Sequence, residues 1–349
     1  MLDNSNEDQT STSSIVQEGN MSAGTASLER ELTSTRRLLW GNNVKEDVFR
    51  RWAQGFQFST DEPSALIQQE GGPCAAIAPV QGFLLKILLS ETPGHTLHDL
   101  TSEKCNSLLV RAVCMILSQC LAAKYNVAVY RKGRAVAHVW DHDQVVGGLR
   151  LRGIERQNDI GFLTIMEHMQ YCTVGSFYKN PKHPVWVLAS ETHLTVLFSM
   201  ERRLAAPETA GESAERIFRS FDPEGNNFIP SAALQDVLCA ADLVSEPEYV
   251  ELMRRKLDSE NLGIILLSAF MDEFFPGCER GAPDTFTLHH YNGLSRSNPG
   301  GRVVFRTGRA ALLECPMRAA TTDPMLTCLQ TKWPSIDIVW DDGHSPSLN

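Results

Sequence analysis

Hydrophobic positions are sparse in residues 1–29, where Ser, Thr, Asn, Glu and Gly dominate. A segment with so little to bury does not offset the entropy of ordering its backbone, so a disordered tail is predicted there. From Leu38 the texture changes: Leu38, Leu39, Trp40, Val48, Phe49, Trp52, Phe56 and Phe58 follow helical and then alternating spacing, and a folded domain begins. Helices are predicted at Cys74–Leu89 and Ser102–Ala123, the second with Leu108, Leu109, Val113, Ile116, Leu117 and Leu121 on one face. Asn126–Tyr130 and Val136–Trp140 read as short strands and Gly161–Cys172 as another helix. Val185–Leu188, a turn at Ser190–Thr192 and an apolar return from His193 to Phe198 read as a hairpin.

Ala205–Ser213 is a small-residue, proline-containing linker. Beyond it, helical patterns at Ala214–Phe221 and Leu234–Leu243 flank one polar loop, and those at Tyr249–Leu257 and Leu267–Phe275 flank another. Strands resume at Phe286–Tyr291, Arg302–Arg306, Ala310–Cys315 and Ile336–Trp340. If the strands on both sides of the helical module share a sheet, the module is an insertion. The expected organisation is a tail at 1–29, an α+β domain in two parts at 38–204 and 284–349, and a helical insertion at 214–276.

Composition narrows the classes of function. With 349 residues, 42% of them hydrophobic, the chain has material for two or about three domains. The formal charge of -10 and the absence of a Lys/Arg run exclude the usual electrostatic footprint of a nucleic-acid binder and favour proteins, basic ones included, as partners. Met1–Asp8 carries acids and amides where a secretory signal has a basic stretch, and the longest apolar run, Phe83–Leu89, is broken by Lys86, short of the roughly 18 residues a span needs. The expectation is no membrane association and a place in cytoplasm or nucleus. Nine irregularly spaced cysteines with no C-x-x-C pair suit that setting, with neither a disulfide framework nor a zinc site; Cys114 and Cys120 are expected as buried packing thiols.

The densest chemical signal is the run Gln68-Gln69-Glu70-Gly71-Gly72-Pro73-Cys74-Ala75-Ala76. Two glycines and a proline end a loop and launch a helix at the cysteine, placing the sulfur near unpaired backbone N–H groups and the positive end of the helix dipole, which favours the thiolate. Gln68 lies on the preceding loop, suited to donate its amide to an oxyanion. The rival interpretation is a turn followed by a helix with a structural cysteine. A base has to come from elsewhere, and His193 stands out because it opens an apolar strand directly after a turn. A polar cap at a hairpin corner is the alternative for it; His289 and His290 come next, and His95, His98, His142 and His344 lie in polar loops.

Over more than one motif the chain resembles the MINDY family of deubiquitinases, in the branch that carries an EF-hand-like insertion. The resemblance lies in Gln68 to Gln81 (QQEGGPCAAIAPVQ), in Arg51-Trp52-Ala53-Gln54-Gly55-Phe56, in Ser190-Glu191-Thr192-His193-Leu194-Thr195-Val196 and in Leu329-Gln330-Thr331-Lys332-Trp333-Pro334, and it runs from Leu38 to Asn349. It implies a papain-like cysteine protease-type catalytic domain that needs no cofactor and hydrolyses isopeptide bonds in polyubiquitin, typically lysine-48-linked. It further implies Cys74 as nucleophile, His193 as general base and acid, and Gln68 as oxyanion donor. Attack of the thiolate on the isopeptide carbonyl, protonation of the leaving lysine amine and hydrolysis of the acyl-enzyme would follow. In the family, a long helical stretch separates the nucleophile helix from the segment resembling Ala135–Asp141, and here only Leu121 to Arg134 spans that interval. The chain thus resembles a shortened form lacking part of the catalytic domain, and a catalytically inactive ubiquitin-binding or adaptor protein is the alternative.

Within the helical module, the loop from Asp222 has oxygen ligands at positions one, three and five of a calcium loop, but Asn227 at six and Ala233 at twelve. The loop from Asp258 has Gly263 at six but Leu262 at five and Ala269 at twelve. Lacking the bidentate carboxylate at twelve, neither is expected to hold a metal ion, and the module is expected to be a paired helical scaffold or a partner surface.

Overall fold

The computed structural model describes residues 26–38, 41–91, 100–121, 138–278, 281–313 and 322–349. They belong to two units, up to Gly55 and from Phe56 onward. In the first, helices α1 (26–38) and α2 (Glu46–Trp52) are linked by Arg36, which donates to Glu46 at 2.6 Å and lies 4.1 Å over the Phe49 ring. Helix α1 takes in residues 26–29 of the tail expected at 1–29, a correction to its boundary; residues 1–25, Leu39 and Trp40 lie outside the described residues.

The second unit opens with α3 (Cys74–Glu91) and α4 (Ser102–Leu121) and a small hairpin, β1 (Gln144–Val146) with β2 (Leu149–Leu151). Next come β3 (Gly161–Thr164), the one-turn helices α5 (Ile165–His168) and α6 (Ser176–Lys179), and the hairpin β4 (Val185–Ala189) with β5 (Leu194–Phe198). Then follow α7 (Ala210–Ser220), β6 (Phe228–Pro230), α8 (Leu234–Ala240), α9 (Pro247–Leu257), β7 (Ile264–Leu266) and α10 (Leu267–Phe274). The chain returns with β8 (Thr285–Tyr291), β9 (Arg306–Leu312), α11 (Pro324–Gln330) and β10 (Ile336–Trp340).

Six of these strands form one sheet in the order β10-β9-β8-β5-β4-β3, antiparallel except for the parallel pair β3–β4. Alternation along the central strands divides the core: Trp186, Leu188 and Leu197 pack with Met325, Leu329 and Trp333 of the α11 region, while Val185, Val187, Val196 and Phe198 pack with Ala78 and Leu85 of α3. Burial on both faces explains why β4 is apolar throughout. By length and composition α3 could cross a membrane, 18 residues at mean hydropathy 1.4, contrary to the expectation that no stretch reaches that size; yet 56% of it is buried inside the protein. It is the core helix, and Pro79 withholds one donor inside it without ending it.

Strands β5 and β8, which flank the helical module in sequence, are sheet neighbours, with Val196 opposite Tyr291. The module has its own core of Phe218, Ile229, Leu238, Ile265 and Phe270, and β6 pairs with β7 between its two loops. Its first helix starts at Ala210, inside the expected linker, because Thr209 and Glu212 form a capping box.

Several local expectations are corrected. Gly161–Cys172 is strand β3 and a single helical turn, since its apolar run pairs with β4 from Gly161↔Trp186 to Thr164↔Ala189 and the Thr164 side chain then caps α5. His138–Trp140, the described end of an expected strand, is irregular, with the two rings stacked at 4.0 Å. Pairing in the expected strand at Arg302–Arg306 begins only at Arg306. Helix α11, not anticipated, carries an Asp323 cap followed by Pro324 in its first turn. Cys114 is exposed, because the buried face of α4 runs through Cys105, Leu108 and Ala112. The side chain of Cys120 and the expected strand Asn126–Tyr130 lie outside the described residues.

Candidate active site

Cys74 is the first residue of α3, and the local sequence explains why. Gly72 has φ 135, a conformation that side-chain-bearing residues rarely adopt, and the carbonyl of Pro73 accepts the N–H groups of Ala76 and Ile77, both at 2.9 Å. The helix therefore turns up immediately behind the cysteine. Its side chain is 9% exposed, with the sulfur 3.9 Å from the Gly72 carbonyl.

The loop that delivers Cys74 is held by buried polar groups. From within α3, Gln81 accepts from the Leu66 N–H at 2.8 Å and donates to the Ser64 carbonyl at 2.9 Å. From the end of β8, the Tyr291 hydroxyl donates to the Leu66 carbonyl at 2.6 Å. Gln68 is buried; its N–H donates to the Gly293 carbonyl at 2.7 Å and its side-chain amide to the Glu70 carbonyl at 2.9 Å. Neither Gln81 nor Tyr291 was singled out by the sequence.

His193 leaves the β4–β5 turn just before β5, its N–H donating to the Ser190 hydroxyl at 3.1 Å. The ring is 7% exposed, and its Nε2 lies 3.0 Å from Oδ1 of the buried Asn292. Burial pushes the imidazole below the usual histidine range, opposed by the bond to Asn292 and reinforced by the positive charge of Arg296. Asn292 is the residue that sequence reasoning missed. Its signal, an Asn-Gly pair closing an apolar strand, has the ordinary meaning of a turn.

The turn after β8 is the common support of both segments. It holds Gln68 through Gly293 and His193 through Asn292, and Asn298 braces it by donating to the carbonyls of Asn292 at 2.8 Å and Leu294 at 3.0 Å. A side chain built at Gly71 would begin 3.5 Å from the Arg296 guanidinium, the group whose charge acts on His193. The other histidines are differently placed. His290 is 1% exposed, neither ring nitrogen has a hydrogen-bond partner among the described residues, and burial first, then the charges of Arg306 and His193, lower it to about 3. His289 stacks on Phe198 and meets Thr307 through Nδ1. His142 packs edge-on to Phe177, His344 lies exposed beside the Asp342 carbonyl, and His95 and His98 lie outside the described residues.

In the helical module, both oxygens of Asp222 accept backbone N–H groups of its own loop, Asn226 at 2.9 Å and Asn227 at 2.7 Å. Asp258 does the same with Leu262 at 2.7 Å and Gly263 at 2.8 Å. Asn227 takes φ 61, close to the φ 79 of Gly263 in the second loop, so the turn survives the loss of its glycine. Among the described residues no group of three His, Cys, Asp or Glu side chains is arranged to hold a metal ion.

Comparison with known proteins adds a lineage to this geometry. Residues 36–132 and 127–219 match the sequence model described as "Deubiquitinating enzyme MINDY-3/4, conserved domain". The ubiquitin carboxyl-terminal hydrolase MINDY-3 homolog of Drosophila melanogaster is 42% identical over 466 aligned positions, covering 92% of this chain and 83% of that protein. The ubiquitin carboxyl-terminal hydrolase MINDY-3 of Homo sapiens is 36% identical over 435 positions, covering 89% and 98%. The probable ubiquitin carboxyl-terminal hydrolase MINDY-4 of Xenopus tropicalis is 38% identical over 96 residues, 26% of this chain and 13% of that protein. Alignments of 466 and 435 positions exceed the 349 residues present, so these relatives carry residues with no counterpart here. The two pieces of the family match both use residues 127–132, which puts the interruption in that region. No solved structure matches the chain.

Proposed function

The chain belongs to the MINDY-3/4 family of deubiquitinating enzymes, and on that premise we propose that it hydrolyses isopeptide bonds in polyubiquitin, those of lysine-48-linked chains in particular. It acts as a cysteine-type ubiquitinyl hydrolase. Cys74 attacks the isopeptide carbonyl after giving its proton to Nδ1 of His193, and the imidazolium returns that proton to the departing lysine amine. Water then hydrolyses the acyl-enzyme, with His193 again as base. One amide N–H of Gln68 is committed to the Glu70 carbonyl; the other serves as oxyanion donor, beside the N–H of Cys74.

The observation that carries this reading is the 3.0 Å contact between His193 Nε2 and Asn292 Oδ1, on the turn that also anchors the Cys74 loop. An asparagine on Nε2 leaves Nδ1 to act as base. A cysteine heading a helix packed against a largely antiparallel sheet, with the histidine directly before one of its strands, is the ground for a papain-like assignment. Two helix–loop–helix units joined by the β6–β7 pair support an EF-hand-like insertion used as scaffold or partner surface. Ubiquitin and its chains are the proposed partners, and the acidic, cysteine-bearing composition favours cytoplasm or nucleus as its setting.

A second reading, a ubiquitin-binding protein without activity, draws on the interruption near residues 127–132. Incubation with lysine-48- and lysine-63-linked tetraubiquitin separates the two. The enzyme shortens the former faster, and Cys74→Ala abolishes the cleavage; binding without cleavage by the wild-type chain establishes the second reading instead.

A further inference from the structure

The amide of Asn292 is trapped in one orientation by atoms that are unable to exchange roles. Its nitrogen donates to the main-chain oxygens of Ser347 at 3.1 Å and Asn349 at 3.3 Å, which only accept. Its oxygen therefore faces the Leu294 N–H and His193 Nε2, each at 3.0 Å. An amide oxygen does not donate, so Nε2 must carry the proton of the neutral ring, and Nδ1 is left as the lone pair. The orientation of one buried amide thus selects the tautomer.

The segment that supplies those oxygens is seated. Leu348 is 4% exposed within the main core, and the Ser347 hydroxyl and the Asn349 backbone brace each other at 2.8 and 3.0 Å. It also grips the turn before His193: Asn349 Oδ1 accepts from the hydroxyls of Ser190 at 2.5 Å and Thr192 at 3.4 Å. Ser190 in turn receives the His193 N–H, so the segment reaches this histidine through its ring and through its backbone.

We infer that Ser347–Asn349 is a positioning element for the thiol–imidazole pair: by orienting Asn292 and clasping the Ser190–Thr192 turn, it holds His193 in the tautomer whose Nδ1 serves as base. The inference rests on the function proposed above. The three residues reach His193 through Asn292, Ser190 and Thr192. Arg296 and His290 are the other charged or titratable groups that act on the imidazole, and both lie outside the segment.

The test uses the full chain with two substitutions. Leu348→Ser unseats the segment with its main-chain oxygens, and Asn349→Leu removes only the acceptor for Ser190 and Thr192. Nitrogen-15 spectra of labelled histidine should show His193 protonated at Nε2 in the wild type and a mixture of tautomers in Leu348→Ser. In both variants kcat on diubiquitin should fall on the order of tenfold with KM unchanged, well short of the roughly 10⁴-fold loss when a triad histidine is held in the wrong tautomer. The acid limb of the pH–rate profile, where the base is lost to protonation, should move to lower pH, since a weaker bond on Nε2–H disfavours the imidazolium, and Asn349→Asp, which keeps an acceptor oxygen, should restore it. An unchanged tautomer and limb in both variants, with loss of thermal stability alone, overturns the inference. The spectra need no catalysis, so a wild-type chain that fails to cleave ubiquitin ends the functional proposal and leaves the tautomer result to be judged separately.

Discussion

The helical module and the Cys74–His193 site both bury polar side chains, and they satisfy them over opposite sequence distances. Asp222 is bonded four and five residues ahead and Asp258 likewise, so each loop is closed by its own backbone. Asn292 instead bonds His193, 99 residues away, and Ser347, 55 residues away, while the Tyr291 hydroxyl reaches Leu66 across 225. Local satisfaction lets a loop keep its shape whatever surrounds it, whereas the supports of the site come together only when β5, β8, α3 and the segment Ser347–Asn349 are assembled. Damage to the module should therefore stay in the module, and damage to any one support of the site should register in catalysis.

The largest expected effect is on the imidazole itself. His193→Gln should lower kcat/KM on ubiquitin chains by about 10³–10⁴-fold while leaving the melting temperature within a few degrees, read by steady-state kinetics and calorimetry. Next comes Asn292→Leu, which deprives His193 of its acceptor and strands the buried N–H of Leu294; a loss of roughly 2–3 kcal/mol in stability and a further drop in kcat are expected from denaturant titration and kinetics. Stability equal to wild type in that variant would show that these distant hydrogen bonds do not hold the site together.

Acid acts on the buried histidine beside the site. His290 is lowered to about 3 in the folded chain, against an ordinary value near 6.5, so the unfolded chain gains a proton there that the folded chain refuses. Its contribution is intact above pH 6.5 and is lost as pH falls toward 3, at up to about 1.4 kcal/mol per pH unit. His290→Leu should flatten the acid limb of the stability profile; an identical limb in the variant would show that some other group governs it. The smallest effects belong to the module. Asp222→Ala should cost about 1–2 kcal/mol of stability, by loss of two backbone hydrogen bonds, and leave kcat on diubiquitin unchanged. A fall in kcat would show that the module is wired to the site.

The same contrast governs what was legible in the sequence. The start of α3 was visible because Gly71, Gly72 and Pro73 dictate a local geometry, and the β4–β5 hairpin because its apolar runs flank a polar turn. The paired helices of the module follow from their apolar period, whereas the start of the first escaped because the Thr209–Glu212 capping box lies inside the expected linker. Strand β3 was not legible, since Phe162, Leu163, Ile165 and Met166 fit either period, and only pairing with β4 decides. Asn292 and Gln81 escaped for a related reason: their roles are defined by partners distant in sequence, and nothing adjacent to them announces a site.

Ubiquitin bearing an electrophilic carboxyl terminus, followed by intact-mass measurement and peptide mapping, reports whether Cys74 is the nucleophile and His193 its base. A single ubiquitin adduct should appear, located on Cys74, forming on the order of a hundredfold more slowly in His193→Gln at neutral pH. An adduct on any of the other cysteines, or equal rates in the two proteins, would contradict that assignment.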